Sequence, residues 1–109
     1  MIQITFYKNN QDAYQGFHFI GHAGYDIAGE DVVCAGVSAL AITTINSIES
    51  LTDAQFTVDS DEKSGMMALH MVSAPSHDTE LLFKSLYIGC QGISDAYGTD
   101  YVKIHFKEV

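Results

Sequence analysis

Arginine is absent from this chain: its five basic residues are all lysine, set against 14 acids for a formal net charge of −9. Arginine supplies the planar fork that grips phosphates and guanine edges, and phosphate neutralisation holds most nucleic-acid ligands. The composition therefore argues against a nucleic-acid partner, whereas a basic partner would be drawn in by the field of the molecule. Cysteine is scarce. Cys34 and Cys90 are the only two, with no CxxC pair of the kind that binds zinc. Long apolar runs are lacking too: no stretch approaches the roughly 18–20 apolar residues of a membrane span, so no membrane partner is expected. The first residues, Met1 to Lys8, alternate apolar with polar side chains rather than forming the apolar core of a signal peptide. The expected location is cytoplasmic, where thiols stay reduced.

What is present suits a folded unit. Hydrophobic residues are 47% of the chain and charged residues 17%, which excludes a disordered composition. A length of 109 residues fits one domain, 1–109, and no linker or low-complexity tract divides it.

Ile2, Ile4 and Phe6 alternate with Gln3, Thr5 and Tyr7, the pattern of a half-buried strand. After a polar turn, Ala13 to Ile20 reads as the second strand of a hairpin, ended by Gly21. Residues 21–31 hold three glycines and read as a long loop. Val32 to Ser50 carries Val33, Val37, Leu40, Ala41, Thr44 and Ile48 at helical spacing, with Asp31 as the N-cap. Ile42 and Ile45 widen its apolar surface, so this helix is expected to be buried on more than one side. Gln55–Asp59 and Met66–Val72 form a second hairpin about a charged turn. Ser76 caps a helix from about His77 to Tyr97, and Tyr101 to Lys107 alternates as a last strand. The predicted order is β-β-α-β-β-α-β, an α+β fold with two helices packed on a mainly antiparallel sheet.

The chemistry centres on two places. His22 follows Gly21 at a strand end, and Cys34 lies twelve positions later, near the predicted start of the long helix. With Asp31 as the cap, the Cys34 thiol would sit by unpaired backbone N–H groups at the positive end of the helix dipole. That setting favours the thiolate, the attacking form of cysteine. A histidine within reach would carry its proton. Ser38, one turn beyond Cys34, would donate a hydrogen bond. Cys90 lies mid-helix between Gly89 and Gln91 and reads as packing. His18, His70 and His105 fall in strand patterns with nothing to fix a shared geometry, so no metal and no cofactor are expected.

The segments Gly21-His22-Ala23-Gly24 and Asp31-Val32-Val33-Cys34-Ala35-Gly36-Val37-Ser38 together resemble the Prp family of bacterial ribosomal-processing cysteine proteases. The resemblance implies a cysteine endopeptidase, a hydrolase acting on peptide bonds. Its expected substrate is the precursor of a large-subunit ribosomal protein, from which it removes an N-terminal extension before ribosome assembly. His22 matches the family's catalytic histidine and Cys34 its nucleophile. Gly21, Asp31 and Ser38 match further motif positions that support the site or bind substrate. A homodimer is implied as well. The glycine-rich segment Ala23–Glu30 suits a lid over the peptide. Two rival functions remain at this level: a non-catalytic acidic module that binds basic ribosomal-protein segments, and a thiol-based redox or acyl-carrying protein.

Overall fold

The structure is a computed structural model that describes residues 1–21 and 27–109, with side chains left undescribed for residues 27–31. Seven elements follow the predicted order: β1 (Ile2–Lys8), β2 (Tyr14–Ile20), α1 (Ile27–Leu51), β3 (Phe56–Asp61), β4 (Met66–Met71), α2 (His77–Tyr97) and β5 (Val102–Glu108). The five strands form one sheet in the order β3-β4-β2-β1-β5. Every neighbouring pair is antiparallel except β1 with β5, which is parallel. The expected α+β architecture with a mainly antiparallel sheet is what forms.

Alternation decides which face of the sheet is covered. Ile2, Ile4 and Phe6 of β1 are buried, as are Phe17 and Phe19 of β2, Leu69 of β4 and Val102 of β5. The two helices lie on this face and add Val33, Val37, Ala41, Ile48, Phe83, Leu86 and Cys90 to the same core. Between Tyr7 and Lys8 the register slips, so Lys8 pairs with Tyr14 rather than with Gln15. That one-residue irregularity returns Tyr14 to the core face beside Phe17. The Tyr14 ring stacks on Phe83, centroids 5.4 Å apart, and the Lys8 ammonium lies 4.6 Å from the Tyr14 ring centroid as a cation–π contact.

The start of α1 differs from the sequence expectation. The helix begins at Ile27, so Asp31 lies inside it and is not the N-cap. Glycine and paired acids at 29–31 look like loop and cap chemistry, but the helix continues through them. The predicted loop 21–31 is correspondingly shorter, and the proposed lid, Ala23–Glu30, is helical from Ile27 onward, with its remaining residues outside those described.

Nor is α1 buried on more than one side. Val33, Val37, Ala41, Thr44 and Ile48 face the core, while Val32, Ile42 and Leu51 are exposed. The stretch Val32–Leu51 is in fact long and apolar enough to cross a membrane by length and composition, which corrects the view that no stretch is. Its inward side chains nonetheless pack on the sheet, and its outer face carries Thr43, Asn46 and Glu49. The two helices approach through small residues. A Cβ placed on Gly89 would meet Leu40 Cδ1 at 2.8 Å, and one on Gly36 would meet Ile93 Cδ1 at 3.2 Å.

The second helix starts as predicted. Ser76 is its N-cap, its hydroxyl accepting from the Thr79 N–H at 3.2 Å, and the Thr79 hydroxyl accepts from the Ser76 N–H in return. In the first turn, Glu80 Oε1 accepts from the Tyr14 N–H at 2.7 Å and so fixes the helix start to β2. At the other end, the Ser94 hydroxyl donates to the Val102 carbonyl at 3.0 Å.

Candidate active site

Cys34 lies about two turns into α1, half-buried, on the helix face that looks toward the end of the sheet. The spacing 34, 37, 38, 41 puts Cys34, Val37, Ser38 and Ala41 on one side of the helix, and all four line a cleft of about 400 Å³. The opposite wall is the sheet end, with Ile2, Phe19, Gly21, Met66 and Met67. The end of β3 and the turn to β4 close a third side with Ser60, Asp61, Glu62 and Gly65.

Gly21 is where β2 leaves the sheet, and its backbone needs glycine. Its φ is 99°, a conformation that side chains oppose, and a Cβ there would overlap the Met1 carbonyl oxygen. Its N–H donates to the Ser64 carbonyl at 3.0 Å, tying the strand end to the β3–β4 turn. Within that turn the Ser64 hydroxyl donates to Asp61 Oδ2 at 2.8 Å. The residue that follows, His22, lies outside the described residues, as does the side chain of Asp31.

Of the five residues singled out in the sequence, three, Gly21, Cys34 and Ser38, therefore share one cleft. The electrostatic argument for Cys34 changes, however. Helix-dipole stabilisation of an anion is concentrated in the first turn, and a helix that begins at Ile27 leaves Cys34 beyond it. Backbone N–H groups at Cys34 are no longer orphaned donors, because orphans belong to the first four residues of a helix. Polar hydrogen-bonding groups in the described part of the cleft include the hydroxyls of Ser38 and Ser60.

The other cysteine is its opposite. Cys90 is fully buried, and burial pushes its thiol up to about 12 from an ordinary 9.0. A thiol so sealed is inert packing, as its mid-helix position suggested. The strand histidines sit on the uncovered face of the sheet. His18 and His105 flank Thr5 in one row, and His70 stacks on Tyr7 in the next, centroids 5.5 Å apart.

The β3–β4 turn was read from sequence only as a charged hairpin turn. Its place in the cleft depends on strand order, for which no local signal exists: β4 inserts beside β2, and the turn is thereby brought to the end of β2. The run Asp59-Ser60-Asp61-Glu62 was its visible trace.

Comparison with known proteins gives this arrangement a setting. A family model described as cysteine protease Prp matches residues 1–103. The ribosomal processing cysteine protease Prp of Staphylococcus aureus is 24% identical over 107 residues, covering 98% of this chain and all of that protein (100%). The crystal structure of that essential S. aureus protease in complex with a covalently linked product peptide superposes with a TM-score of 0.89, at 24% identity, over 98% of this chain and 100% of the other. Its complex with a substrate peptide gives 0.88 at 23% identity, with the same coverage of both chains, 98% and 100%.

Proposed function

The chain belongs to the cysteine protease Prp family, and from that premise we propose that it cuts peptide bonds with Cys34 as nucleophile and His22 as proton carrier. The thiol proton passes to His22, and the thiolate attacks the scissile carbonyl carbon. The tetrahedral intermediate collapses to a thioester as His22 returns the proton to the leaving amine. Water, deprotonated by His22, then attacks the thioester, releasing the carboxylate product and restoring the thiol. The Ser38 hydroxyl is assigned as a hydrogen-bond donor within the site. Asp31 keeps a supporting role through its place in α1, two residues before the buried Val33.

The observation that carries this reading is the contrast between the two thiols. Cys34 opens on a cleft bordered by Gly21, the residue that precedes His22 in the sequence, while Cys90 is sealed in the core. The cleft is concave and largely apolar, of a size that suits a large side chain with its flanking backbone.

The proposed substrate is the precursor of a large-subunit ribosomal protein, trimmed of its N-terminal extension before ribosome assembly. Support comes from the S. aureus relative, which is a ribosomal processing protease, and from the −9 charge of this chain, which suits a basic substrate. Enzyme and substrate would meet in the cytoplasm. A homodimer is proposed as the working form; exposed apolar side chains on both helices, Ile42 on α1 and Leu81 and Ile88 on α2, are suited to an interface between copies. The test is incubation with the precursor followed by intact mass. Loss of the extension with the wild type, and none with Cys34→Ala or His22→Ala, is expected. Binding of the precursor without any mass loss would instead support the non-catalytic acidic module.

A further inference from the structure

The cleft has two kinds of wall, and only one is explained by a need to hold an apolar side chain. Its floor is Phe19, Val37, Ala41 and Met67, all buried or half-buried. Its lip is the β3–β4 turn, where Asp61 and Glu62 are exposed and no lysine stands among the described lining residues. The lip is held in place: the Gly21 N–H donates to the Ser64 carbonyl, and the Ser64 hydroxyl donates to Asp61 Oδ2. Lys63 follows Glu62 in the same turn but is not among the lining residues, so the charge that borders the apolar walls is acidic and concentrates the field at the cleft mouth.

We infer that Asp61 and Glu62 are specificity-determining residues that select peptides carrying a lysine or arginine within a few residues of the apolar side chain on the floor. The inference rests on the peptidase reading above and adds a charge requirement to it. A lysine side chain lying along the turn places its ammonium among the carboxylates while the neighbouring apolar residue enters the cleft. Both carboxylates are solvent-exposed, so each contributes a modest preference, about threefold, and the pair about tenfold.

The long-range field of a −9 molecule would also favour basic peptides, and a neighbouring acid separates the two effects. Asp59 belongs to the same strand as Asp61 but does not line the cleft. Neutralising it changes net charge as much as neutralising Asp61 does.

The experiment uses three peptides with one apolar core, flanked by lysine, alanine or glutamate. With wild type, kcat/KM should fall in the order lysine, alanine, glutamate, and the spread should shrink as salt shortens the Debye length below about 8 Å. In the double variant Asp61→Asn/Glu62→Gln the lysine-to-glutamate ratio should approach one, whereas Asp59→Asn should keep the wild-type ratio. Glu62→Lys should invert the order. An unchanged ratio in the double variant, or an equal loss in Asp59→Asn, overturns the inference while leaving proteolysis intact. Failure to cut any of the three peptides counts against the peptidase reading itself. Fluorescence anisotropy of the same labelled peptides on Cys34→Ala then decides the charge preference separately: the same order of affinity upholds it, and equal affinities overturn it.

Discussion

Two cysteines with the same side chain sit in environments that pull their chemistry apart. Cys90 was legible from sequence, because a small apolar side chain amid α2 glycines has nowhere to go but the core. Cys34 was legible only through the motif around it; its presence in a cleft follows from helix spacing, but the cleft itself needs the sheet. In the native protein, iodoacetamide should add a single adduct, mapped to Cys34 by peptide mass, with a second on Cys90 only in denaturant. Modification of Cys90 first would contradict this assignment. Cys90 also makes a pH prediction. Between its ordinary 9.0 and about 12, the unfolded chain loses a proton that the folded chain keeps. The unfolded state then binds fewer protons, so stability is full below pH 9.0 and falls as pH rises toward about 12. The slope is at most about 1.4 kcal/mol per pH unit. Tyr14, whose phenol is raised first by burial and then by the charge of Glu80, acts in the same direction. Urea midpoints followed upward from about pH 8 should decline, and less steeply in Cys90→Ala than in wild type.

At the level of elements, the strands and the capped start of α2 were readable while the start of α1 was not. The alternation of Ile2, Ile4 and Phe6 identified β1 because a strand's side chains change face at every residue. Ser76 was found because its hydroxyl does a job that few side chains can do, and the reciprocal Thr79 bond completes it. Ser76→Ala should therefore lower stability by about 1 kcal/mol, read as a lower urea midpoint with an unchanged slope; no change would mean that the cap is replaced by solvent. The start of α1 was misplaced because Gly29, Glu30 and Asp31 carry loop and cap propensities that a longer helix overrides. That misplacement removed the helix-dipole explanation for Cys34, so the proposed mechanism rests its activation on His22. In α2, Phe83, Leu86 and Cys90 form the buried centre, and Tyr97 at its end is 41% exposed.

For the whole molecule, the order of elements followed from local pattern, but the order of strands did not. Nothing in β5 announces that it lies parallel to β1, or in β4 that it enters beside β2. Those non-local pairings bring the acidic turn, the strand end at Gly21 and the Cys34 face of α1 to one cleft. Charge was legible as a total, and only the fold shows that part of it lines the cleft mouth. The most direct measurement is the intact mass of the ribosomal-protein precursor after incubation with wild type and with a folded Cys34→Ala variant. The expected result is loss of the N-terminal extension with wild type alone. Removal of the extension by Cys34→Ala would contradict the assignment of Cys34 as nucleophile.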